Sequence, residues 1–223
     1  MFDFLLPIAL GLPAFVPGIV LHELAHALAA EKLGDPTARM SGRISLNPKA
    51  HFDRLGALVY IITSVLSSMA GRPFAFGWAK PVPINPFNFR KPRRDMAISS
   101  IAGPLSNLLQ LAVWAGLLHV LRADVAGSGS IWWAWEIVAQ RNDLIGYTIV
   151  MGLILNGVLV GFNMVPIPPL DGSRVLAFVL PERYAYMLDR LEPYGLGIVV
   201  LAIWFGLFSF IWPAVDALIN LFL

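Results

Sequence analysis

Five stretches of the chain contain no Asp, Glu, Lys or Arg: residues 4–21, 55–71, 96–121, 144–170 and 193–215. Each is close to or above the roughly 17–25 apolar residues that a helix needs to cross a bilayer. The first continues in a helical pattern to about Lys32. Pro7, Pro13 and Pro17 interrupt it, which predicts a kinked or late-starting helix. Residues 131–138, with Trp132, Trp133 and Trp135, read as an interfacial anchor before the fourth stretch. The pattern predicts an all-α polytopic membrane protein, a bundle of about four to six membrane helices. Residues 1–223 are read as a single membrane-embedded domain, with no internal repeat and no room for an added soluble domain.

Composition agrees with a lipid-facing surface. The chain is 57% hydrophobic and only 13% charged, against roughly 25% charged in soluble domains. Its mean hydropathy is +0.71. A net charge of +2 gives no reason to expect nucleic-acid binding. There is no cysteine, so any bound metal must use His, Asp or Glu. A cleaved leader is not expected, because Asp3 stands where a basic region belongs.

Charge also bears on topology. Lys32, Arg39, Arg43, Lys49 and Arg54 precede stretch 55–71, and Arg72, Lys80, Arg90, Lys91, Arg93 and Arg94 follow it. If that stretch crossed once, one cluster would sit on the wrong side of the membrane. It is therefore read as re-entrant or shallow, with both clusters cytoplasmic; the alternative is a minimal span. Arg90, Lys91, Arg93 and Arg94 are read as meeting anionic headgroups. Residues 77–94, GWAKPVPINPFNFRKPRR, cannot be helical through Pro81, Pro83 and Pro86. Alternating Val82 and Ile84 predict a short extended or hairpin element, β-like and interfacial. It is either a structured loop or an edge on which an unwound substrate pairs.

The chemistry starts at His22-Glu23-Leu24-Ala25-His26, which ends the first apolar run. On a helix, residues four apart share a face, so two imidazoles can grip one metal ion. Glu23 can then act as a base toward water activated by that metal. Histidines and carboxylates in a membrane helix are costly, and function is the default reason for them. Asp171 is the candidate third ligand. It follows Pro166, Pro168 and Pro169, which break the fourth helix, and Gly172 permits a tight backbone after it. The plainer role for Asp171 is capping the next helix. Two His and one carboxylate leave the open position of catalytic zinc. Asn163 can donate to a developing oxyanion. Asn107 and Asn156 read as helix–helix hydrogen bonds, although Asn156 lies two turns from Asn163 and can face the same cavity. His51 and Asp53 are candidates for orienting the metal ligands, with a structural role as the plainer reading. His119 reads as interfacial.

These motifs resemble the site-2 proteases, intramembrane zinc metallopeptidases of peptidase family M50. The resemblance rests on the HExxH at 22–26, Gly103-Pro104-Leu105-Ser106-Asn107, and Asn163 through Pro169-Leu170-Asp171-Gly172. It is strongest to the short prokaryotic group without a PDZ domain, through GRISLNP, His51-Phe52-Asp53 and GWAKPVPINP. The resemblance implies His22, His26 and Asp171 as ligands of one Zn2+ per chain. It implies Glu23 as base and Asn163 as a substrate-positioning or oxyanion group. It also implies a multi-pass protein of a prokaryotic cytoplasmic membrane. The expected substrate is a membrane protein with a helix that can unwind, met within the lipid bilayer. The competing expectation is a catalytically silent, zinc-binding scaffold or a transporter-like protein.

Overall fold

Residues 5–69 and 77–223 are described by a computed structural model. The elements are α1 (Leu5–Lys32), α2 (Thr37–Met40), α3 (Pro48–His51), α4 (Arg54–Met69), α5 (Pro92–Leu121) and α6 (Ala123–Ala126). They continue as α7 (Ile131–Gln140), α8 (Leu144–Asn163), α9 (Asp171–Val179), α10 (Glu182–Leu191), α11 (Gly195–Trp204) and α12 (Ile211–Asn220). The fold is all-α, with no strand among the described residues. Three of these helices are long and apolar enough to cross a membrane: Ala9–Lys32 within α1, α5 and α8.

α1, α5 and α8 pack on one another, with α12 against α8 and α9 against α5. α8 is the central element, its side chains from Ile149 to Asn156 all buried. Gly157 and Gly161 admit α12: a Cβ at either would lie 2.9 Å from Ile219 Cδ1 or 2.8 Å from Val215 Cγ2. Small residues let membrane helices approach this closely. α5 has two faces. Gly103, Asn107, Leu111, Ala115 and Leu118 are buried, whereas Leu105, Leu109, Val113 and Val120 are exposed. An exposed apolar stripe, with the polar Asn107 turned inward, suits a helix whose outer solvent is lipid.

The predicted segments are realised with four differences. Pro13 and Pro17 lie inside α1 without ending it. Stretch 55–71 is one helix over its described part and does not turn back within α4; its end and Arg72 fall in residues 70–76, outside the described residues. Stretch 144–170 stops being helical at Asn163, three residues before Pro166. Stretch 193–215 is two helices rather than one. α11 ends in a Schellman motif, with Leu207 N–H on the Ala202 carbonyl (2.8 Å) and Gly206 N–H on that of Ile203 (3.0 Å). Gly206 takes φ of 69°, which suits glycine.

Two exposed arginines expected at headgroups also bond to the protein itself. Arg93 donates to the Ala177 and Leu180 carbonyls at the C-terminal end of α9, and Arg94 pairs with Asp95 (2.7 Å). Carbonyls at a helix end draw a cation by partial charge and geometry.

At the other end of the bundle Asp143 caps α8, its Oδ1 accepting from Gly146 N–H (3.0 Å). The same carboxylate accepts from Arg122 (2.8 Å to Nη2), just past the end of α5. The Arg122 hydrogen bond overcomes burial and holds the carboxyl down at about 2, against 3.8 ordinarily. A lowered folded value means stability that is present above 3.8 and lost as pH falls toward 2. Asp143→Ala is expected to cost about 1–2 kcal/mol at neutral pH. The Tm gap from wild type should close as the pH is lowered through that window.

Candidate metal centre

The three candidate ligands come from two helices, α1 and α9, and α5 supplies a wall. His22 and His26 project from one face of α1, as their spacing requires. Their Nε2 atoms lie 3.0 Å apart. Asp171 Oδ2, from the first turn of α9, lies 3.3 Å from each. Asp171 does not cap its helix: no side-chain cap is formed there. Instead the proline-rich turn after α8 folds back until Gly172 rests on the Met164 backbone, where a Cβ would be 2.3 Å from the carbonyl oxygen. That approach carries the carboxylate to the histidines.

Hydrogen bonds behind the rings set what they present in front. His26 Nδ1–H donates to the Ser99 carbonyl (2.8 Å), which can only accept. His22 Nδ1–H donates to Asn107 Oδ1 (2.6 Å). The Asn107 amide cannot be turned around, because its Nδ2 donates to the Gly18 carbonyl (2.9 Å) and to Asn156 Oδ1 (3.0 Å). Asn156 in turn donates to the Gly152 carbonyl (2.9 Å). With Nδ1 as the donor, each neutral imidazole faces the site with a lone pair at Nε2. Asp171 Oδ2 is buried and meets no hydrogen-bond donor among the described residues.

Three acceptors thus converge with nothing to share but a cation. Tetrahedral zinc with bonds of about 2.0–2.1 Å implies ligand-to-ligand edges of about 3.3 Å. The observed edges of 3.0, 3.3 and 3.3 Å fit that geometry. Among the described residues this is the one group of three or more His, Asp or Glu able to hold a metal.

The trio opens onto a cavity of about 390 Å³ whose lining includes Glu23, Asn163 and Arg174. Most of its wall is apolar, from α8, α11 and residues 77–84. Glu23 Oε2 accepts from the Val82 N–H (2.8 Å). Asn163 Nδ2 gives one hydrogen to the Leu159 carbonyl (2.9 Å), which leaves a second donor on that amide. The sequence-derived set of His22, Glu23, His26, Asn163 and Asp171 therefore meets at one cavity. Asn156 reaches the ligands through Asn107. His51 and Asp53 bond elsewhere: His51 Nε2 to the Ser45 carbonyl (2.8 Å), Asp53 Oδ1 to Gly56 N–H (2.8 Å). They shape the loop before α4.

Similarity to curated proteins extends over most of the chain. "Putative zinc metalloprotease YwhC" of Bacillus subtilis (strain 168) is 32% identical over 203 residues, 91% of this chain and 84% of that protein. The chain belongs to the zinc metalloprotease family of YwhC. A second relative in this family, "Putative zinc metalloprotease Rip2" of Mycolicibacterium smegmatis, is 28% identical over 191 residues, 86% of this chain and 65% of that protein. No protein-family profile and no solved structure matches the chain. Membership agrees with the site-2 protease motifs and makes zinc the metal that His22, His26 and Asp171 would hold.

Sequence reasoning missed the part that four residues play at this centre. Asn107 and Ser99 orient the two histidines, and Gly103 lies between them on the same face of α5, one turn from each. Arg174, one turn after Asp171, lines the cavity and pairs with Glu192 (2.9 Å). The signal for Gly103 and Asn107 was present as the 103–107 motif, but Ser99 acts through its carbonyl, and only packing showed which face of α5 met the histidines.

Proposed function

We propose that this protein is an intramembrane zinc endopeptidase that hydrolyses peptide bonds in or near transmembrane segments of other membrane proteins. The observation that carries the reading is the convergence of three donor-free ligand atoms beside helices apolar enough to span a bilayer, two of the three ligands lying on one such helix, α1. When bound, zinc would acidify a water and polarise the scissile carbonyl. Glu23, beside the ligands and open to the cavity, takes the proton and returns it to the leaving amine. The free amide hydrogen of Asn163 is available to the carbonyl oxygen as charge develops there. The apolar lining suits side chains from a helix that has unwound locally, since an intact helix keeps its carbonyls bonded internally.

The same reading makes the protein a multi-pass component of a prokaryotic cytoplasmic membrane, with its basic loops on the cytoplasmic side. Comparative membrane proteomics of wild type against Glu23→Gln tests it. The expected result is a small set of intact membrane proteins that accumulate in the variant, cut in wild type within or beside an apolar segment. Cleavage confined to soluble domains would oppose the reading. An unchanged membrane proteome would favour the silent scaffold.

A further inference from the structure

Residues 77–85 form no regular element, yet their backbone is held firmly beside the site. Lys80 N–H donates to the His51 carbonyl (2.9 Å), Val82 N–H to Glu23 Oε2 (2.8 Å) and Asn85 N–H to Asp35 Oδ2 (2.7 Å). Arg43, 7% exposed, donates through Nη2 to the carbonyls of Lys80 and Pro81. Gly56 lies against the same strap, so that a Cβ there would fall 2.0 Å from the Trp78 carbonyl oxygen. The strap is therefore clamped on both sides of Val82.

Proline placement makes the contact with Glu23 unique. Pro81 and Pro83 have no N–H. Val82 carries the one backbone donor between Lys80 and Ile84, so the bond to Glu23 cannot migrate to a neighbour. With no N–H on Pro81 or Pro83 and that of Val82 taken by Glu23, no backbone donor is left between Lys80 and Ile84 for a paired strand, which favours the structured-loop reading of 77–94 over a substrate-pairing edge. A glutamate carboxylate on its three-bond stem samples several rotamers, and general-base catalysis depends first on geometry.

We infer that Arg43 is a positioning residue for the reaction: by gripping the Lys80 and Pro81 carbonyls it fixes the Val82 N–H, and through it the Glu23 carboxylate. The inference rests on the reading of Glu23 as the base. It gives the GRISLNP segment and the GWAKPVPINP segment one joint task, although they are 29 residues apart from Pro48 to Gly77.

Amide hydrogen–deuterium exchange on the purified protein in nanodiscs, resolved to single residues, tests the inference without relying on turnover. In Glu23→Ala the Val82 amide should exchange about tenfold faster or more, as expected for loss of a hydrogen bond to a charged acceptor, while the Lys80 and Asn85 amides keep their wild-type rates. In Arg43→Met the Lys80 and Val82 amides should speed up together, and Arg43→Lys should restore part of the protection. In turnover on a transmembrane substrate, Arg43→Met should lower kcat by about tenfold or more with KM and zinc content held, and Arg43→Lys should recover part of the loss. Because Arg43→Met can also disturb folding, Val82→Pro removes the N–H with Arg43 left in place, and its kcat should fall well below that of Val82→Ala, which controls for the lost side chain. Equal Val82 exchange in wild type and Glu23→Ala, or wild-type kcat in Val82→Pro, would overturn the inference. If Glu23→Gln is inactive while Val82→Pro is fully active, the base reading stands and the positioning role fails. If Glu23→Gln cleaves at the wild-type rate, the base reading itself fails, whatever the exchange shows.

Discussion

Gly103→Ala is expected to lose most of its bound metal and about 10²-fold of its activity. A Cβ at this position would lie 2.3 Å from His26 Nε2, 2.4 Å from His26 Cε1 and 2.7 Å from His22 Cε1. Those rings cannot retreat, because Ser99 and Asn107 hold their Nδ1 atoms from behind. Either α5 moves away from α1 or the imidazoles turn, and both outcomes pull the three ligand atoms apart. Gly116→Ala on the same helix is the matched control, since nothing lies within 4 Å of the point its methyl group would occupy. That change should leave stability within about 1 kcal/mol of wild type. Metal content by mass spectrometry, with thermal unfolding on the same preparations, separates loss of the site from loss of the fold. A Gly103→Ala protein with full zinc and full activity would show that α5 does not wall the centre as described.

Asn107→Leu is expected to weaken zinc binding by about 10–100-fold, the usual cost of removing a partner that orients a ligating histidine. The leucine would also strand the Gly18 carbonyl and the Asn156 amide oxygen in a buried setting, and each unsatisfied group costs about 1–3 kcal/mol. Asn107→Asp separates the two effects. It keeps an acceptor for His22 and loses both donors, so zinc affinity should survive better than Tm does. Competition with a graded chelator reads the first quantity and thermal unfolding of the metal-free protein reads the second. Wild-type zinc affinity in Asn107→Leu would reduce Asn107 to a helix–helix contact, the role that sequence reasoning gave it.

Much of this centre was legible because local rules decide it. The spacing of His22 and His26 fixes their shared face on any helix, and stretches without charge mark α1, α5 and α8. Asp171 stood out because a carboxylate after three prolines in an apolar segment needs a reason. Gly206 carried a readable stop within stretch 193–215, yet hydropathy alone joined α11 to α12, because apolar turns leave no charge to mark them. What stayed hidden depends on helix rotation and on backbone atoms. The face of α5 bearing Ser99, Gly103 and Asn107 is selected by packing against α1. The hold of Val82 on Glu23 involves a main-chain N–H, which has no residue type to recognise. His51 and Asp53 looked suited to orienting metal ligands because of their chemistry, but their partners are Ser45 and Gly56 in the loop they brace.

The most direct test of the account is a paired measurement on purified, reconstituted wild type and Glu23→Gln: zinc per chain and cleavage of one transmembrane substrate, from the same samples. The predicted result is one zinc in both proteins, cleavage by wild type within or beside the apolar segment, and a rate lower by about 10²–10⁴-fold in the variant. Cleavage by Glu23→Gln at the wild-type rate would contradict it, as would a zinc-loaded wild type that leaves transmembrane substrates intact.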